Sequence, residues 1–210
     1  MGGEVVSKEI FTRYYENNFW QGLESKSGPG SDKAQTRILI KELELLMRRL
    51  KITSILDLPC GDWNWMQEVN LDGITYYGGD IVVSVIAVNK RKFLDREKVI
   101  FRVIDIINDD LPPVDLILVR DCLIHFDIDS MFKALRNIKE SDSDWLLTTH
   151  YPWLHREANE SIEIGGYHRV DLTRPPFNFP PPRHIIFERD LHGWDADKSL
   201  ALWRIDEMPV

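Results

Sequence analysis

Three carboxylates close three successive apolar runs: Asp57 in "SILDLPCGDW", Asp80 in "TYYGGDIV" and Asp105 in "VIFRVIDI". An acid at the end of a buried strand faces whatever lies beyond the sheet edge, and ligands of open α/β sheets bind there. Asp80 follows Asp57 by 23 positions. A carboxylate at the end of a second strand can accept both hydroxyls of a ribose. Asp105, flanked by Ile104 and Ile106, suits the amino group of an adenine packed on apolar side chains. The three acids together fit an adenosine. Gly61, in the turn after Asp57, lets backbone approach a ligand closely. A pyrophosphate would need Gly-x-Gly-x-x-Gly at a helix N-terminus, and Pro59, Gly61 and Trp63 stand at those points instead. A dinucleotide is therefore disfavoured, and Asp57 suits a cationic ligand better than an anionic one.

A second cluster follows the fourth apolar run, in "VDLILVRDCLIHF": Arg120, Asp121 and His125. Asp121 and His125 are four apart, so one helical face could carry both. They read as a general base with its support, as a cap and salt bridge, or as two ligands of a metal, although two ligands alone define no metal site. All six histidines lie after residue 120, and His150, at the end of the fifth run, is the second candidate base. Tyr151, Trp153, Phe177 and Phe179 are candidates for an aromatic rim beside it, or for packing under a long loop.

The elements that must position these groups alternate. An aromatic helix is expected over 8–20, carrying Phe11, Tyr14, Tyr15, Phe19 and Trp20. A Gly/Ser/Pro loop spans 24–36, and an amphipathic helix 33–50. Strands at 52–58, 75–82, 99–106, 114–123 and 144–151 alternate with helices at 63–69, 83–94 and 128–138. Such alternation predicts a mostly parallel sheet with helices on both faces. Two final runs, 183–190 and 199–206, have no helix between them and read as an antiparallel hairpin at the sheet edge. The long segment 152–183 is irregular, and connections of that length are usually functional. We expect one structural domain, with 1–50 as N-terminal helices and covering loop and 51–210 as core.

The chain has 210 residues, 43% hydrophobic and 29% charged, with a formal net charge of -8. That balance argues against a nucleic-acid partner, which calls for a basic face. No apolar run reaches membrane-spanning length, so no membrane partner is expected. Two cysteines, Cys60 and Cys122, read as small buried hydrophobes, which favours a reducing, cytoplasmic setting.

"DLPCGDW" resembles the first motif of the class I S-adenosylmethionine-dependent methyltransferases, with Pro59 and Trp63 replacing two glycines. "YYGGDIV", "VIDI" and "DLILVRDCLIHF" resemble the next three. The chain is also similar to small bacterial methyltransferases associated with glycan modification, and to methyltransferase domains of algal-virus glycosyltransferases. The resemblance implies a Rossmann-like, seven-stranded sheet and S-adenosylmethionine as cofactor. It implies cofactor contacts from Ser27, Gly28, Gly30, Ser31 and Thr36 at the methionine end, from Asp57, Pro59, Gly61 and Trp63 at the first turn, and from Asp80, Ile81, Asp105, Ile106 and Arg120. His125, Asp121 and His150 become the catalytic candidates, with no metal. The acceptor it suggests is a sugar hydroxyl, with rhamnose a candidate, in a small molecule or glycan. A glycosyltransferase domain is a candidate partner, and a host cytoplasm the setting if the source is viral. Methylation of another small molecule or a protein side chain, and a non-catalytic cofactor-binding scaffold, are the alternatives.

Overall fold

The computed structural model describes residues 2–152, 157–189, 193 and 195–210, with side chains from Ser7 onward. Seven strands form one sheet in the order β3-β2-β1-β4-β5-β7-β6. They are β1 Ser54–Asp57, β2 Thr75–Asp80, β3 Val99–Val103, β4 Leu116–Val119, β5 Trp145–His150, β6 His184–Phe187 and β7 Ser199–Arg204. β1 to β5 pair in parallel, whereas β7 runs antiparallel to both β5 and β6. The order reverses between β1 and β4, which makes their C-terminal ends the crevice where such sheets bind ligands.

Side chains alternate strictly across the sheet. Ile55, Leu116, Leu118, Leu147 and Leu202 enter one core with Leu39, Leu43, Leu46 and Met47 of α2 (Lys33–Leu50) and Ile86 of α3 (Val83–Lys92). Leu56, Ile117, Val119, Leu146 and Trp203 enter the other with Met131, Ala134, Leu135 and Ile138 of α4 (Ile128–Glu140). The sheet is thus covered by helices on both faces. α4 starts where the Asp127 carboxylate accepts the Ser130 amide at 2.6 Å, a side-chain cap for an orphan donor.

Two helices differ from expectation. α1 spans Gly2–Glu16 and stops short of residue 20. Asn17 donates its side-chain amide to the Arg13 carbonyl, and Asn18 turns left-handed at φ 47°. The helix expected over 63–69 reduces to a 3-10 turn, Met66–Glu68. Trp63 takes φ 58°, and a left-handed residue cannot continue a right-handed helix.

Candidate active site

A cavity of about 310 Å³ opens at the C-terminal ends of β1, β2 and β4. The turn after β1 forms its floor. Gly61 has φ +53° there, and a Cβ on it would stand 2.4 Å from Ser27 Oγ, so the close approach of turn and loop requires glycine. Asp62, the next residue, clamps the loop. Its carboxylate accepts from Ser25 Oγ at 2.8 Å and from the Lys26 amide at 3.1 Å. Ser31 and Gly30 carbonyls accept from Asn64 Nδ2 and Arg120 Nη2 at 3.0 and 2.8 Å. The loop holding Ser27, Gly28, Gly30 and Ser31 is therefore pinned against the cavity, and all four line it.

Asp57, Pro59, Gly61, Asp80, Ile81, Asp105, Ile106 and Arg120 also line the cavity. Asp80 is buried, and accepts the Val82 and Gly61 amides at 2.9 and 3.1 Å. Burial outweighs these bonds and lifts its pKa to about 6. Asp57 accepts the Tyr76 hydroxyl at 2.5 Å, and burial raises it to about 7 against the lowering by Tyr76 and Arg120. Each carboxylate has about four lone-pair positions, so both retain capacity towards the cavity. Asp105 accepts the Ile107 amide and Asn108 Nδ2, each at 2.9 Å.

At the β4 side, His125 ends a 3-10 turn, Leu123–His125. Its Nδ1 lies 2.7 Å from the Gly166 carbonyl. A carbonyl can only accept, so Nδ1 carries the proton and Nε2 keeps its lone pair. The Gly165 amide returns a bond to the His125 carbonyl at 2.8 Å, and a Cβ on Gly165, at φ +89°, would meet Ile10 Cγ2 of α1 at 2.7 Å. The rings of Phe11, Trp20 and Tyr167 stand 6.0–6.4 Å from the imidazole. Burial outweighs the opposing Gly166 bond and holds its pKa below the ordinary 6.5, so the ring is neutral near pH 7.

Asp121, the other catalytic candidate here, lines the cavity but is paired with two cations. Lys198 Nζ bonds its carboxylate at 2.7 Å and Arg120 approaches at 3.3 Å. These cations outweigh burial and hold its pKa well below the usual carboxylate range, which makes it a poor proton acceptor. Arg120 in turn makes two bonds to buried Glu188, at 3.1 and 2.5 Å. Asp121 thus anchors a partly buried ion cluster beside the histidine.

Five expected site residues stand elsewhere. His150 is 1% exposed and sits edge-on to Trp203, with Nδ1 accepting the Leu172 amide at 3.4 Å; it is a core histidine outside the cavity. Trp63 is packed on Phe93, Tyr76 and Phe101, because its left-handed backbone turns the indole into the core. Thr36 is fully buried and spends its hydroxyl on the Asp32 carbonyl at 2.9 Å. Phe177 and Phe179 pack on Phe132 and Trp203 beneath the long segment. Trp153 lies outside the described residues. Of the expected rim only Tyr151 lines the cavity, and the aromatic walls come from Phe11, Tyr15, Trp20 and Tyr167 instead. Phe11 and Tyr15, four apart on one helical face, carried a readable signal; Tyr167, Asp195 and Lys198, in segments without periodicity, carried none. Among the described residues no group of three or more His, Cys, Asp or Glu could hold a metal ion, and no helix is long and apolar enough to cross a membrane.

A seven-stranded sheet of this order, with its last strand inserted antiparallel, is the Rossmann-like fold of class I methyltransferases. Among solved structures the chain is similar to PigF with S-adenosylhomocysteine, at TM-score 0.64 and 14% identity over 93% of this chain and 62% of that one. It is similar to human N-acetylserotonin methyltransferase in complex with S-adenosylmethionine, at TM-score 0.60 and 19% identity over 92% and 58%. A third is the N-methyltransferase NodS from Bradyrhizobium japonicum WM9, at TM-score 0.56 and 16% identity over 78% and 94%. The chain thus spans about three fifths of the length of the first two. No protein-family model and no curated protein sequence matches it.

Proposed function

We propose that the chain is an S-adenosylmethionine-dependent methyltransferase that methylates a hydroxyl of a small, polar acceptor. The observation that carries this reading is one cavity lined by two unlike sets of groups. Buried Asp57 and Asp80 close β1 and β2, and His125, its Nδ1 engaged by the Gly166 carbonyl, follows β4.

The donor set fits the cofactor. Asp80 has lone pairs for the ribose hydroxyls, and Asp105 with Ile104 and Ile106 offers an acceptor between apolar faces for adenine. Asp57 suits the ammonium group, and the pinned loop at Gly30 beside Arg120 suits the carboxylate. Bound there, S-adenosylmethionine supplies an electrophilic methyl group on a sulfonium that leaves as a neutral thioether. The chain's own work is alignment, exclusion of water and removal of the acceptor's proton. His125 Nε2 takes that proton, and the Gly166 carbonyl holds the ring in the required tautomer. Ile104, Phe126 and the aromatic walls keep the cavity largely apolar around these few polar groups.

A sugar hydroxyl, with rhamnose a candidate, is the acceptor we favour. The support is the resemblance of the sequence to glycan-associated methyltransferases, together with aromatic faces beside carboxylates, a pairing that suits a polyhydroxylated ring. The test is calorimetric titration with S-adenosylhomocysteine, followed by radiolabelled-methyl transfer to a panel of rhamnosides, other glycosides, phenols and amines. Cofactor binding with transfer to a glycoside is the expected result. Binding with transfer only to amines or phenols would replace the acceptor, and failure to bind S-adenosylhomocysteine would overturn the reading.

A further inference from the structure

Arg120, just after β4, joins two segments that are far from it in the chain. Its Nε and Nη2 donate side-on to the two oxygens of Glu188, at 3.1 and 2.5 Å, across 68 residues. Nη2 also donates to the Gly30 carbonyl at 2.8 Å, across 90 residues. A side-on fork of this kind fixes the plane of a guanidinium, so Glu188 decides where the hydrogen that reaches Gly30 points. The Trp65 ring centroid lies 5.6 Å from Arg120 Cζ and adds an aromatic face to the same seat. The loop backbone rests directly on this cluster. A Cβ on Gly30 would stand 3.4 Å from Asp121 Oδ2, 3.6 Å from Lys198 Nζ and 3.8 Å from Arg120 Nη2.

Glu188 is not among the residues that line the cavity. It follows β6, its side chain is fully buried, and its amide donates to the Lys198 carbonyl at 3.0 Å across the hairpin. Its own place is therefore set by the C-terminal hairpin. A buried ion pair adds little net stability over an apolar pair of the same volume; what this one supplies is orientation. We propose that Glu188 is a positioning residue for the cofactor: it fixes Arg120, and through the Gly30 carbonyl it sets the Pro29–Ser31 turn at the methionine end. The hairpin thus acts on cofactor binding without touching the cofactor. This inference rests on the methyltransferase reading given above.

The experiment uses the full chain, with S-adenosylhomocysteine affinity read by calorimetry and backbone mobility by hydrogen exchange. Glu188→Gln keeps the side-chain length and loses the charge, which leaves Arg120 buried without its partner and can cost the fold. Glu188→Asp keeps the charge and draws the carboxylate back by one methylene, so it decides the matter if Glu188→Gln does not fold. In Glu188→Asp, exchange at 27–31 should quicken and S-adenosylhomocysteine affinity should fall by about tenfold, the scale of one bond to a charged group. Exchange in the hairpin strands, 184–187 and 199–204, should stay at the parent's rate, which a merely structural role for Glu188 would not allow. Arg120→Gln with Glu188→Gln replaces the ion pair by a neutral one. It should bind S-adenosylhomocysteine within about twofold of Arg120→Gln alone, because a residue that acts only through Arg120 adds nothing once Arg120 is gone. The proposal is overturned if Glu188→Asp keeps the parent's affinity, if exchange quickens in the hairpin and not at 27–31, or if the double variant binds more weakly than Arg120→Gln. A parent chain that binds no S-adenosylhomocysteine would remove the cofactor reading itself, whereas a parent that binds it with an unresponsive Glu188→Asp would remove only the role of Glu188.

Discussion

His125 has one nitrogen available for chemistry, because the Gly166 carbonyl engages the other at 2.7 Å. Its pKa lies below the ordinary 6.5 through burial, and a base acts in its deprotonated form. Turnover should therefore rise with pH through a midpoint below 6.5 and stay level from there towards pH 8. His125→Ala should lose turnover by roughly 10²–10⁴, lose that acidic limb, and keep its affinity for S-adenosylhomocysteine. A pH-rate profile of both proteins checks this, and an acidic limb that survives in the variant would assign it to another group. Asp57 has the opposite relation between charge and environment. Burial lifts its pKa from 3.8 to about 7, so the native state holds a proton that the unfolded chain has released. Stability is then lost as pH rises from about 4 to about 7. Asp57→Asn removes the titration. Denaturant unfolding of the two proteins should show the variant gaining on the parent across that window, by up to the order of 4 kcal/mol. A difference that is constant with pH would mean that the carboxyl is not held protonated.

The loop at 25–31 is an element only because Asp62 makes it one. Ser25 Oγ and the Lys26 amide bond its carboxylate, and Ser27 Oγ accepts the Asp62 amide at 3.2 Å. Asp62→Ala should release the segment: hydrogen exchange at 25–31 should quicken, and affinity for S-adenosylhomocysteine should fall on the order of tenfold, the scale of one or two charge-assisted bonds. Exchange in that segment equal to the parent's would show that Gly30 and Ser31 hold it without Asp62. This clamp also marks where a single sequence stops being legible. Period-two and period-3.6 patterns set every strand and the helices α2 to α4, because alternation of apolar residues states which face is buried. Asp57, Asp80 and Asp105 were legible as ligand candidates because strand ends fix where such side chains go. Trp63 and His150 misled for one shared reason. Both stand beside the cavity in sequence, but a left-handed φ turns the first into the core, and strand alternation turns the second away. Asp62, Tyr167 and Lys198 act across separations of 28 to 77 residues, and no local pattern records such a partner.

Both ends of the chain reach the same cavity. Ser7, Phe11 and Tyr15 of α1 line it from the N-terminal side, and Asp195 and Lys198 from the C-terminal hairpin. Between them lie the turn after β1 and the ends of β2 and β4, so a ligand that fills the cavity touches elements from most of the chain. A ligand that binds only the folded state stabilises it by RT ln(1 + [L]/Kd), about 2.7 kcal/mol at a hundredfold excess over Kd. For a chain of this length each kcal/mol moves the melting temperature by roughly 2–4 °C, so S-adenosylhomocysteine at that concentration should raise it by about 5–10 °C in a single transition. NAD, whose pyrophosphate meets Pro59 and buried acids in place of a glycine-rich helix start, should give no shift. Asp80→Ala removes a carboxylate able to accept the ribose hydroxyls. A tenfold weaker Kd, about 1.4 kcal/mol, would leave about half the shift at the same ligand concentration. Differential scanning fluorimetry on the two proteins with each ligand reads all four cases. An equal shift in parent and variant would take Asp80 out of the ribose site, and a shift with NAD would return the first turn to dinucleotide binding.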